Sequence, residues 1–251
     1  MADVRVIVTP HGMLSDWAMT SKIFKKRLFT LILKILRKKT IFQSLTTNEE
    51  IFIRKYFPHA EVVTIGNPIA NQDLPSASSV RTGVISLGRL CPQKNSIEFC
   101  ETIARLSERS CQLFNVDVFG WSNDADYLRQ FLNMSKNLSN IKYCGELSHN
   151  DVLSTLCHYK FFIIYSNFEG FPMAVLEALA AGCIVIGNET SGLDDLTCSR
   201  NVKVVPGNLT EFVLGAKKIM DQEIAYDVTD TVLDQYTPQL ISKNLLQLYR
   251  R

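Results

Sequence analysis

FFIIYSNFEGFPMAVLEALAAGCIVI, residues 161–186, decides the fold. It opens on an aromatic and β-branched run, 161–165, and closes on another apolar run, 183–186. Between them, residues 172–181 are good helix formers behind a proline, which suits a first helical position because no N–H is needed there. A nearly continuous apolar strand is one covered on both faces, and a strand–helix–strand unit makes its two strands parallel.

The same unit repeats outward in both directions. Further strand-like runs are VISLG (84–88), FNVDVF (114–119), IKYCG (141–145) and VKVV (202–205). Helical patterns over 96–108, 124–136, 149–157 and 208–221 alternate with them. Six strands with their crossovers predict a doubly wound parallel sheet. Ligands of such sheets sit beyond the carboxyl ends of the strands. Sites are therefore expected just after Gly88, Gly120, Gly145, Ser166 and Gly187.

The N-terminal part reads differently. Residues 4–8 and 41–45 look like strands, 62–65 like a third, and 15–39 like a helix. Pro10-His11-Gly12 leaves the first strand, and Thr46-Thr47-Asn48-Glu49 looks like a helix cap. Residues 66–79 are rich in turn and linker types. The expected organisation is 1–66 as the end of an N-terminal domain, 67–80 as linker, 81–225 as a complete Rossmann-like domain, and 226–251 as a C-terminal helical segment. An independent first domain of this kind needs roughly 150 residues, so its opening strands are expected to be missing.

Composition narrows the class. The chain has 251 residues, 46% hydrophobic and 21% charged, which excludes disordered and collagen-like proteins. With 27 basic and 25 acidic residues it is no general nucleic-acid binder. Yet Lys22 to Lys39 holds eight basic residues and no acidic one, so the rest of the chain is net acidic. Phe24, Leu28, Leu31, Ile32 and Ile35 fall on one helical face of that stretch. It reads either as an interfacial helix on an anionic membrane or as a core-facing helix with a solvated basic side. Seven scattered cysteines, without Cys-x-x-Cys spacing, read as reduced thiols, and no metal site is expected. The N-terminus lacks a signal-like apolar stretch, so the expected location is cytoplasmic, with a peripheral position on the inner face of the membrane as the finer expectation.

Two constellations carry chemistry. Gly88-Arg89-Leu90-Cys91-Pro92-Gln93-Lys94-Asn95 joins a strand to a helix that Asn95 or Ser96 can cap. Arg89 and Lys94 can converge on one diphosphate; the plain alternative is a loop with two solvated cations. The second constellation runs from Glu169 to Gly182. Gly170 allows close backbone approach, and the helix start after Pro172 offers free N–H groups to an anion. Glu177 is the lone carboxylate on an otherwise apolar helix, which is costly to bury unless it faces a polar ligand such as vicinal hydroxyls. Exposure to solvent on a half-buried helix is the other reading. Phe119-Gly120-Trp121 and Gly145-Glu146-Leu147 end neighbouring strands, either as a flat slot for a base or as plain turns.

The pairing of GRL-x3-KN (88–95) with E-G-F-x5-E-A-x-A-x-G (169–182) resembles the retaining, nucleotide-sugar-dependent glycosyltransferases of group 1, also called family 4. Upstream, TPHGMLSDWAM, a basic helix, LTTNEE and IGNPI look like the end of that family's acceptor-side domain. The resemblance implies a GT-B fold of two Rossmann-like α/β domains, the first of them N-terminally truncated here, with the last helix crossing back to it. It implies that Arg89 and Lys94, with the backbone of Gly170, Phe171, Pro172 and Met173, bind the donor diphosphate. It implies Glu177 on the ribose, Glu169 beside the donor sugar, and His11 in the reaction site. Gly145 and Leu147 are the matching base-binding positions. No cofactor beyond the nucleotide sugar and no bound metal are implied. The implied acceptor is a sugar or a lipid-linked sugar, in cell-surface polysaccharide or glycolipid synthesis. The rival readings are a nucleotide-sugar-binding remnant that needs a protein partner for its missing half, and a nucleotide-sugar epimerase.

Overall fold

The computed structural model describes residues 6–20, 31, 40–69, 81–109 and 111–250. Within these, the chain falls into two compact units. One comprises residues up to 71 with 169–171 and 234–251, and the other comprises 72–168 and 172–233. The basic stretch 22–39, apart from Leu31, and linker residues 70–80 lie outside the described residues.

The first unit holds a parallel sheet of β1 (Val6–Val8), β2 (Thr40–Ser44) and β3 (Glu61–Thr64), in that order. β2 is buried along its whole length because both faces are covered. Phe42 faces a core of Leu14, Ile53 and Phe57, Ile53 brought by α2 (Thr47–Tyr56) and Phe57 being the residue that caps its end. Ile41, on the opposite face, packs with Ile65 and with Ile241 and Leu248 of the C-terminal helix α8 (Pro238–Tyr249). Of the helix expected over 15–39, the short α1 (Asp16–Met19) lies within the described residues.

The second unit is a six-stranded parallel sheet. Its strands are β4 (Val84–Leu87), β5 (Val116–Phe119), β6 (Ile141–Gly145), β7 (Phe161–Ile164), β8 (Ile184–Asn188) and β9 (Val202–Val205). Their spatial order is β6-β5-β4-β7-β8-β9, so the winding reverses between β4 and β7. That is the doubly wound arrangement, and the point of reversal is where such sheets open a crevice. The helices are α3 (Ser96–Glu108), α4 (Ala125–Ser135), α5 (Val152–Leu156), α6 (Met173–Ala180) and α7 (Leu209–Met220). Phe99 of α3 stacks on Tyr165 at 4.0 Å between ring centres, and Phe212 of α7 joins them beneath the sheet.

The link from β8 to β9 holds a single 3₁₀ turn, Asp194–Leu196. Its Thr190 and Ser191 hydroxyls are spent on the carbonyls of Ser166 and Ile164, which tie the segment flat against the β7 exit. Asn95 stands at the start of α3, but in a left-handed conformation (φ 63°), and its side chain caps nothing. The Tyr127 hydroxyl accepts from Ile97 N–H instead, at 3.2 Å. Among the described residues no helix is long and apolar enough to cross a membrane.

Candidate functional site

Backbone bonds lace three strand exits of the second unit together. Gly88 N–H donates to Phe119 C=O (3.1 Å), Leu90 N–H to Trp121 C=O (2.7 Å), and Gly120 N–H to Gly145 C=O (2.9 Å). The Tyr143 hydroxyl adds a bond to Gly120 C=O at 2.9 Å. Gly120 has to be glycine, because a Cβ there would stand 1.8 Å from the Gly88 carbonyl oxygen. The exits of β4, β5 and β6 therefore form one rim.

Arg89 is exposed on this rim, whereas Lys94 is half-buried with its stem along Gly88. A 3₁₀ turn, Pro92–Lys94, sets the lysine. The turn is pinned to the β7 exit: Asn167 N–H donates to Gln93 C=O (2.8 Å), and the Gln93 amide donates to Phe168 C=O (3.0 Å). The Asn167 amide donates to Pro92 C=O as well, at 3.0 Å. Arg89 and Lys94 both line the narrow crevice between the ends of β4 and β7, with Ser86, Ser96, Tyr165 and Ser166.

A larger cavity of about 350 Å³ lies beside it. Arg89, Trp121, Leu147, His149, Ala174 and Glu177 are on its walls. Three sequence candidates, Arg89, Leu147 and Glu177, thus meet in one space. Gly145 closes β6 just before it, at φ 87°, a conformation that favours glycine. Lys94 lines the crevice and is not among the residues lining the cavity.

Glu177 is half-buried, and among the described residues nothing donates a hydrogen bond to its carboxylate. Burial raises its pKa above the ordinary glutamate value, and the neighbouring His149 partly counters this. A carboxylate in that position is short of partners, and the cavity is where partners can come from. The α6 start is also open. Pro172 stands one residue before the helix, without a side-chain cap, and Val175 N–H turns back to Pro172 C=O at 2.9 Å, which leaves the N–H groups of Met173 and Ala174 without an intrahelical acceptor.

The remaining candidates belong to the first unit. His11 is exposed at the tip of a turn, in the left-handed region at φ 50°. Gly170 packs on the next residue: a Cβ at Gly170 would stand 3.4 Å from both Cα and N of Gly12. Phe171 meets Tyr236 edge to face at 5.6 Å, and Glu169 is buried. The structure thus brings His11 and the 169–171 tip together, and separately gathers Arg89, Leu147 and Glu177.

Sequence reasoning missed Gln93, Asn167, Tyr127 and His149. His149 was within reach, since it follows a strand exit already marked as a ligand edge. The other three act through contacts distant in sequence, for which no local pattern exists. No group of three or more His, Cys, Asp or Glu side chains suited to a metal occurs among the described residues.

Residues 78–233, more than half of the chain, match the family described as glycosyl transferases group 1. The chain belongs to this family. Among curated members it is 26% identical over 171 residues to the capsular polysaccharide biosynthesis glycosyltransferase CapH of Staphylococcus aureus, covering 65% of this chain and 46% of CapH. It is 22% identical over 190 residues to the 2-deoxystreptamine N-acetyl-D-glucosaminyltransferase of Niallia circulans, covering 70% and 49%. The chain thus spans about half the length of the curated relatives it matches. Among solved structures, Anabaena HepE in complex with UDP and glucose superposes with a TM-score of 0.75 at 12% identity, over 98% of this chain and 71% of HepE. At that identity the likeness establishes the GT-B-type α/β fold and nothing about ligands.

Proposed function

We propose that this group 1 chain transfers a sugar from a nucleoside-diphosphate sugar to an acceptor hydroxyl, in the assembly of a cell-surface polysaccharide or glycolipid. The observation that carries the reading is the cavity at the β4–β6 exits, where the Arg89 cation and the unpartnered Glu177 carboxylate share one wall system next to the open start of α6. A nucleoside diphosphate has the matching chemistry: two hydroxyls for a carboxylate, a planar base for a slot, and phosphates for cations and free N–H groups.

In this reading Glu177 accepts from the ribose hydroxyls, and Trp121, Gly145 and Leu147 flank the base. Arg89, Lys94 and the backbone of Gly170 to Met173 take the diphosphate. The bond from the anomeric carbon to the diphosphate oxygen breaks, and the acceptor oxygen bonds to that carbon. The acceptor proton goes to the leaving phosphate, which fits a retaining course without a protein nucleophile. Each charged hydrogen bond to the leaving group contributes about 1.5–3 kcal/mol, and the rest is positioning. Glu169 stands by the donor sugar and His11 by the reacting centre. No further cofactor enters the scheme. The basic stretch 22–39 suits an anionic membrane carrying a lipid-linked acceptor. A binding-only remnant is less favoured, because Gly170 is packed against Gly12, the residue after His11, an arrangement such a role does not need.

Calorimetry with UDP, GDP and ADP tests the reading. At least one nucleotide should bind, and Arg89→Ala and Lys94→Ala should each weaken it about tenfold or more. Binding of none of the three, or unchanged affinity in both variants, refutes the assignment.

A further inference from the structure

Glu49 is 3% exposed, and a buried carboxylate is costly unless its oxygens are satisfied. It stands three residues into a Thr-x-x-Glu helix start, where a capping box would turn its side chain back to the Thr46 N–H. The structure does otherwise. The Thr46 hydroxyl accepts from Glu49 N–H at 3.0 Å, but the Glu49 carboxylate reaches elsewhere. One oxygen accepts from Leu45 N–H at 2.7 Å, and the other accepts from Gly12 N–H at 2.5 Å, across 37 residues of chain.

Gly12 follows His11, whose left-handed backbone is disfavoured for a residue with a Cβ. A single turn bond, Met13 N–H to Pro10 C=O at 3.1 Å, spans the His11–Gly12 tip itself. The other side of Gly12 lies against Gly170, and the Thr46 hydroxyl is 3.4 Å from Gly170 C=O. One helix start therefore touches both segments that carry the candidate reaction-site residues of the first unit.

We infer that the first turn of α2 is a brace, in which Glu49 is a positioning residue that fixes the His11–Gly12 turn and, through it, the seat of the Glu169–Phe171 tip. Two N–H donors converge on it, and only a carboxylate offers two acceptor oxygens; a glutamine must drop one bond and aim its own N–H₂ at a donor. The consequence for turnover rests on the glycosyltransferase reading, whereas the brace itself does not.

The test uses the whole chain labelled with nitrogen-15. In the parent protein the Gly12 amide proton should be shifted downfield and slow to exchange. In Glu49→Gln it should move upfield and exchange about tenfold faster or more, while β2 amides keep their protection. A fast-exchanging Gly12 in the parent overturns the brace without any variant, so the test survives a Glu49→Gln chain that does not fold. An unchanged Gly12 in a folded Glu49→Gln overturns it as well. Turnover is then measured with UDP-glucose, GDP-mannose and ADP-glucose. With a donor that the parent uses, kcat should fall about tenfold in Glu49→Gln while the donor KM stays within about twofold. An unchanged kcat refutes the positioning role. If the parent turns over none of the donors, the glycosyltransferase reading is what fails, and the brace is decided by the Gly12 amide alone.

Discussion

Replacing Glu177 by glutamine keeps the shape of the side chain and removes its charge, and binding and stability should then move in opposite directions. A hydrogen bond to a charged group contributes about 1.5–3 kcal/mol, against about 0.5–1.5 kcal/mol for a neutral pair. A carboxylate accepting from two ribose hydroxyls should therefore lose on the order of 1–2 kcal/mol as an amide, or roughly five- to thirtyfold in Kd. Stability follows the opposite sign. Burial raises the Glu177 pKa in the folded chain. The folded state thus holds its proton to higher pH than the unfolded state does, and the charged form costs stability above the folded pKa. That cost fades as pH falls toward the ordinary glutamate value, near about 4.3. Glu177→Gln should match or exceed the parent in Tm at neutral pH, with the difference closing as pH approaches about 4. Calorimetry for the nucleotide and thermal melts across that pH range are the assays. An unchanged Kd together with a lower Tm at neutral pH would mean that the carboxylate supports the fold, and the ligand argument would be refuted.

Gly120→Ala places a methyl group against the Gly88 carbonyl; such overpacking typically costs about 1–3 kcal/mol, so Tm should drop by several degrees and nucleotide affinity should fall with the distorted rim. A normal melt and normal affinity would show that the rim yields freely. Asn208→Ala removes the side-chain half of a capping box at α7, in which Asn208 Oδ1 accepts from Thr210 and Glu211 N–H, and leaves the Asn208 N–H bond to the Glu211 carboxylate (2.7 Å) available; stability should fall by about 1 kcal/mol with nucleotide binding unaltered, checked by the same pair of measurements. The basic stretch 22–39 should sediment the chain with anionic vesicles, with binding lost as salt rises, and indifference to lipid charge would leave only its solvated, core-facing reading.

Much of this protein was legible in one dimension. Apolar runs such as 161–165 and 183–186 are strands because continuous β-branched and aromatic residues need cover on both faces, and helix periods between them force parallel pairing. Proline and glycine around residues 170–173 marked the open start of α6, and Glu177 stood out as a charge that an apolar helix does not tolerate without reason. These are local properties, carried by residue type and spacing. Tertiary structure alone decided which surfaces meet. α8 covers the face of β2 opposite α2, although well over a hundred residues separate them, because Ile41 needed apolar cover that its own neighbourhood does not supply. Tyr127 caps α3 in place of Asn95, since a partner on α4 reaches a free N–H that a left-handed asparagine cannot. Glu49, which reads as part of a helix cap, spends its charge on Gly12, because a buried carboxylate takes whichever N–H donors the folded chain brings to it.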